Sequence, residues 1–163
     1  IKLKDRLHQY VCKNEKEDID QIRKAIRYLA SDSITKIIGY NLRFDYQFIL
    51  TRMAKLDKLD DEFARNFVDC INKTTDIFDF VLNYLSLSKG KYGLADVCKF
   101  FGIEKDDIAS KDIKDLFIRH LQGDREAMDR ILEHNKGDLD AIYELYNKFK
   151  PIIDRLDFAE KQL

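Results

Sequence analysis

Two acidic stations in this sequence have the residue types and spacing for metal-assisted chemistry. The first is Gly39-Tyr40-Asn41-Leu42-Arg43-Phe44-Asp45, which sets the carboxylate of Asp45 between a β-branched run and a helical pattern. The second is His134-Asn135-Lys136-Gly137-Asp138, where His134 and Asp138 share one face of a helix. Carboxylate oxygens suit Mg²⁺ or Mn²⁺, whose shells are completed by water and substrate phosphates. With two such ions, one lowers the pKa of an attacking water and the other stabilises a leaving oxygen, which is the chemistry of phosphodiester hydrolysis. His134 would orient or deprotonate that water, since an unperturbed imidazole titrates near pH ~6.5. Both stations also have ordinary readings. Asn41 would cap the helix with Asp45 complementing its dipole, and Asp138 would be a half-solvated acid bonded to His134.

The elements that must position these residues follow from periodicity. Residues 34–38 (Ile-Thr-Lys-Ile-Ile) predict a short buried strand, and Phe44, Phe48, Ile49, Met53 and Leu56 predict a helix starting near Phe44. In open α/β sheets ligands bind outside the carboxyl ends of strands, so Asn41 and Asp45 are expected at a crevice. Upstream, residues 7–12 read as a strand, followed by an amphipathic helix with Ile19, Ile22, Ile26 and Leu29 on one face. Residues 59–68 read as a helix. Residues 73–80 read as a strand running into a helix that ends near Leu87, and Asp76 and Asp79 within them are further site candidates, with a capping role open for Asp79.

A small polar loop then carries Lys89 and Lys91, read as solvated or as phosphate contacts. Leu94, Val97, Cys98 and Phe101 form one helical face closed by Gly102, and Ile113 to Leu121 another closed by Gly123. Asp124 is expected to cap a long helix whose inward stripe runs Met128, Ile131, Leu132, Asn135, Leu139, Ile142, Leu145, Tyr146 and Phe149. Asp138 falls at the edge of that stripe, where a lone carboxylate needs a partner or a cation. Pro151 is expected to end the helix, leaving residues 152–163 as a tail.

At 163 residues the chain is expected to form one domain, with a strand and helix over 1–33, a motif-bearing core over 34–150 and a tail over 151–163. A net charge of -1 leaves nucleic-acid attraction to local basic groups. Cys12, Cys70 and Cys98 lack metal-site spacing and read as reduced core residues. No apolar run reaches membrane-spanning length and no signal-peptide layout appears, so the expected location is cytoplasmic.

The first station is similar to the second motif of the DEDD 3′-5′ exonucleases, especially the proofreading domains of B-family DNA polymerases and their stand-alone prokaryotic relatives. These show Asn, a few residues, an aromatic, then a metal-binding Asp. Thr75-Asp76-Ile77-Phe78-Asp79, Tyr92-Gly93-Leu94-Ala95-Asp96-Val97 and Phe101-Gly102-Ile103-Glu104-Lys105 resemble the stretch that follows in that family. The second station resembles the third motif, with His134 where the Tyr-type subgroup has Tyr; the His-type subgroup places its His one residue further from the Asp. The family's first motif, Asp-x-Glu, does not occur before Gly39. Asp60-Asp61-Glu62 has the letters but falls in a helical pattern after the second motif. Because the chain opens on Ile1, that motif is expected upstream rather than lost.

The resemblance implies an α/β ribonuclease H-like fold, a mixed sheet flanked by helices and lacking its first strand or strands, with the long helix bringing Asp138 to the strand ends. It further implies metal ligation by Asp45 and Asp138 with two Mg²⁺ or Mn²⁺ ions, and a water-handling role for His134. Asn41 and Phe44 would contact the terminal nucleotide, and Arg43 and Lys136 the backbone, of single-stranded DNA or RNA 3′ ends in repair or replication. The alternative is a catalytically inactive relative that binds nucleic acid or assembles with other proteins.

Overall fold

A computed structural model describes residues 2–3, 6–9, 15–88, 90–105 and 110–160. The chain divides into two compact units. One is Tyr10–Asn83; the other joins Ile1–Gln9 to Tyr84–Leu163.

In the Tyr10–Asn83 unit, helix α1 (Glu15–Ala30) packs on α3 (Asp61–Asn72), with Ile26, Phe63, Phe67 and Cys70 buried. Both helices are amphipathic, so burial of their apolar faces drives the pairing. The Cys70 thiol donates to the Ile26 carbonyl at 3.4 Å, and burial pushes its pKa up to about 11, which keeps it a thiol. Arg23 reaches both the Lys58 carbonyl and Asp60, and Arg27 pairs with Glu62. Asp60 also caps α3 through the Phe63 N–H at 2.9 Å. Asp60 and Glu62 are thus committed to helix packing and capping, so the Asp60-Asp61-Glu62 string is not a displaced first motif.

Strand β3 (Ile37–Gly39) pairs in parallel with β4 (Thr74–Asp76), and α2 (Leu42–Lys55) and α3 form the crossover between them. The expected strand at 34–38 is shifted towards Gly39. Ile34 is buried, but its N–H is bonded to Ser31 O, and sheet pairing begins only with Ile37 N–H on Lys73 O at 2.8 Å. Helix α2 starts at Leu42, before the expected Phe44, because Leu42 turns straight back over the strand end. A Cβ at Gly39 would lie 2.4 Å from Leu42 Cγ, so only glycine permits this approach. Helix α4 (Ile77–Tyr84) follows β4 directly, with Ile77, Phe80 and Val81 buried.

In the second unit a short antiparallel pair, β1 (Lys2–Leu3) with β2 (Arg6–Leu7), precedes the helices. Of the strand expected at 7–12, residues 10–12 lie outside the described residues, as does Lys89. Among the described residues the strands therefore form two separate pairs, one parallel and one antiparallel. Helix α5 (Leu94–Phe101) buries Val97 and Cys98, and Phe101 meets Phe149 edge-on at 5.1 Å. Helix α6 (Ser110–Leu121) buries Leu116 against α7 (Arg125–Glu160).

Asp124 caps α7 as expected, accepting from Ala127 N–H at 3.2 Å. The buried row of α7 is Ala127, His134, Ala141, Leu145, Tyr146 and Ile153; Asn135 is exposed rather than inward. Pro151 does not end the helix, which runs on to Glu160. Proline removes one i→i−4 bond and kinks a helix, but burial of Ile153 and the Tyr146 hydroxyl on Asp154 at 2.7 Å hold the following turn. Lys150 adds an ion pair to Asp154 across the proline. No helix among the described residues is long and apolar enough to cross a membrane.

Candidate functional site

The parallel register sets Gly39 beside Asp76, so the two strands end together and both chains leave the sheet at the same edge. Asn41 stands at the N-cap of α2, but the expected side-chain cap does not form. Its backbone is left-handed, φ 59°, and its side chain makes no cap bond. The capping group comes from the neighbouring strand: Asp76 Oδ1 accepts the Asn41 N–H at 2.8 Å and the Phe78 N–H at 3.0 Å. One carboxylate thereby serves two helix N-termini, where orphan N–H groups and the helix dipole favour negative charge.

Asp45 lies in the first turn of α2, facing the same edge. Burial pushes its carboxyl above the usual carboxylate range, its own backbone N–H works the other way, and the Asp76 charge adds to the rise. The residue as a whole is solvent-exposed, so the rise reflects a carboxyl hemmed in on one side rather than a buried one. Asp76 is raised too, by burial first, against backbone N–H bonds that lower it. Among the described residues no basic side chain pairs with either acid. Asp45 in the first turn of α2, raised in part by the Asp76 charge at the end of β4, offers with it two hard-oxygen donors of the kind a divalent cation takes.

Around this edge Tyr46 fixes α2 to the sheet through its hydroxyl, 2.6 Å from Thr74 Oγ1, and through its ring against Phe67. Phe44 is 63% exposed and Phe48, one turn on, 62%, so neither ring is used in the core. Arg43 is exposed beside them. The Tyr10–Asn83 unit thus brings together Asn41, Arg43, Phe44 and Asp45, and adds Asp76 as a structural partner. Asp79 sits exposed in the first turn of α4.

The other unit gathers His134 and Asp138. His134 is buried, with Nε2 3.6 Å from Asp138 Oδ2. Asp138 occupies the row between buried His134 and Ala141, the edge position its spacing predicts. Its partner is Lys105, a residue with no site role in the sequence reading: Lys105 Nζ lies 2.6 Å from Asp138 Oδ1, and the lysine side chain is only 8% exposed. Lys105 arrives there through the C-terminal turn of α5. Gly102, at φ 68°, lets Ile103 N–H return to Cys98 O at 2.9 Å, a Schellman-type closure that sends the chain back along α7. The only sequence signal for this was the Gly-Ile pair before the lysine.

Lys105, His134 and Gly137 line a cleft of about 970 Å³ between α5 and α7, which Lys99 and Arg130 also border. Lys136 is exposed on α7. Lys91 pairs with Asp96 at 3.4 Å, which favours the solvated-loop reading of that lysine. Among the described residues no three His, Cys, Asp or Glu side chains gather as a metal cluster.

A family profile for the RNase H superfamily matches residues 3–150. An uncharacterized protein of Methanocaldococcus jannaschii is 34% identical over 122 residues, covering 71% of this chain and 64% of that protein. The chain therefore spans less than two thirds of that relative's length. No solved structure matches the chain.

Proposed function

Because the chain belongs to the RNase H superfamily, we propose that it is a metal-dependent 3′-5′ exonuclease acting on single-stranded nucleic-acid ends. The observation that carries this reading is the pair of desolvated carboxylates, Asp45 and Asp76, at the joint ends of β3 and β4. Asp45 and Asp138 are the ligand carboxylates in this reading. Divalent ions, when bound, supply a water acidic enough to attack a phosphodiester and a charge to stabilise the departing oxygen.

The rest falls to the protein's own groups. Phe44 offers an exposed ring to the terminal base, and stacking of this kind tolerates any sequence. Asn41, whose side chain is not spent on capping, offers an amide to the same nucleotide. Arg43 and Lys136 are exposed cations for the phosphate backbone. His134 holds or accepts a proton at Nε2, on the side facing Asp138.

The test is a digestion of 5′-labelled single-stranded DNA and RNA by the full-length protein with Mg²⁺ or Mn²⁺. The expected result is a ladder of shortened products that disappears in Asp45→Ala and Asp138→Ala. Absence of a ladder on both substrates overturns the proposal.

A second reading rests on the ion pair at 2.6 Å between Lys105 and Asp138, which already occupies one of the two ligand carboxylates. On that reading the chain binds ends or assembles with other proteins without cutting. It predicts end binding that survives EDTA, whereas binding that requires a divalent ion speaks for the nuclease.

A further inference from the structure

Helix α2 carries two aromatic rings on the side turned away from its own core. Met53 is buried and the Tyr46 hydroxyl meets Thr74 on the core side, while Arg52 ties the flank of the helix to Asp18 on α1 at 2.9 Å. At about 100° per residue, Phe44, Phe48 and Lys55 fall in one row opposite that core side. Both rings are exposed, at 63% and 62%. Gln47 and Thr51 beside them are exposed and polar, and the exposed cations Arg43 and Lys55 stand at the two ends of the helix. A narrow row of rings between two cations suits a nucleic-acid strand, whose bases meet the rings and whose phosphates meet the cations.

Resting on the reading of Phe44 as the ring for the terminal base, we infer that α2 is a track for the strand behind that base: Phe48 takes the second base and Lys55 a phosphate further along. The helical rise sets positions 44 and 48 about 6 Å apart along the axis, whereas stacked nucleotides follow one another every ~3.4 Å. Two bases that stay stacked on each other cannot each cover a ring, so each must leave its neighbour. A paired end keeps its bases stacked and does not reach the second ring. Phe48 is thereby a specificity-determining residue: it demands two unpaired nucleotides at the end, of any sequence, because every base has a π-face. Lys55 lies about 10 Å beyond Phe48, where it meets backbone and adds affinity without reading sequence.

Binding of 5′-fluorescein-labelled oligothymidylates to the full-length protein in EDTA tests this apart from any cleavage. Phe48→Ala is expected to bind a single-stranded hexamer about tenfold more weakly than wild type, the effect of losing one stacked base, and to bind thymidine monophosphate as wild type does. Phe44→Ala should lose affinity for both. The sequence contains no tryptophan, so Phe48→Trp places a single indole on the row. Its emission should be quenched by the hexamer, and not by the mononucleotide or a blunt duplex. Lys55→Ala should lower the salt slope of hexamer binding by about one, and an unchanged slope overturns its part in the track. Wild-type affinity in Phe48→Ala, or an indole blind to the hexamer, overturns the inference; if Phe44→Ala nonetheless weakens binding, the terminal-base reading survives. If neither substitution weakens binding, both fail together. Hexamer binding that depends on Phe48, with no ladder of products from wild type, supports the track and overturns the nuclease reading alone. A wild-type dimer that Phe48→Ala dissolves in sedimentation would make the row a contact between copies and overturn the inference.

Discussion

Asp45 and Asp76 at the β3–β4 edge answer to backbone N–H groups, whereas Asp138 on α7 answers to the ammonium of Lys105. Peptide dipoles orient a carboxylate but leave its charge in place, so burial raises both acids at the edge. A lysine cancels the charge. The first arrangement leaves two acids raised by burial, and the second pairs its acid with a cation.

That contrast can be broken by experiment in metal-free buffer. The largest effect is expected from Asp138→Ala, which strands a nearly buried lysine and should cost about 3 kcal/mol of unfolding free energy, the low end for a broken buried pair. Urea denaturation measures it, and a loss below about 1 kcal/mol would show that Lys105 solvates itself readily once unpaired. Gly39→Ala comes next, at about 2 kcal/mol for overpacking, because its Cβ would fall on Leu42 and displace the start of α2. Asp76→Ala removes the shared cap of α2 and α4 and should cost about 1 kcal/mol, with faster amide exchange at Asn41 and Phe78 as its local signature.

The smallest change has the opposite sign. Asp45→Asn should stabilise the metal-free protein by less than about 1 kcal/mol at neutral pH, as surface changes usually do. The folded pKa of Asp45 lies above its ordinary value of 3.8, so the folded chain holds that proton more tightly than the unfolded one. Stability from this group is full below 3.8 and falls as the pH rises through the folded pKa. The advantage of Asp45→Asn should therefore vanish in acid and grow on the way to neutrality. A destabilised Asp45→Asn at pH 7 would mean that the edge already contains a cation.

Local chemistry made much of this legible in advance. Asp124 at the head of α7, Gly102 at the end of α5 and the amphipathic Glu15–Ala30 are decided within a few residues of sequence, and each stands where its spacing predicts. So does Asp138 at the edge of the buried row. What escaped the sequence depends on partners distant along the chain. The cap of α2 comes from Asp76, 35 residues away, so Asn41 reads locally as a cap it does not provide. Lys105 meets Asp138 because α5 turns back along α7, which no helical periodicity records. Pro151 reads as a stop because its local effect is unfavourable, while the burial of Ile153 that outweighs it depends on tertiary packing.

The left-handed backbone of Asn41 bears on how this position can drift. At φ 59° most side chains incur roughly 1 kcal/mol of strain, whereas glycine and asparagine are at ease there. Residue 41 thus passes a conformational filter that glycine also passes and, on the proposed reading, a chemical one that glycine does not. Genetic drift would leave this position chiefly by way of glycine, and an Asn41→Gly lineage would retain the turn while giving up the amide, so that the backbone could be inherited without whatever that amide does.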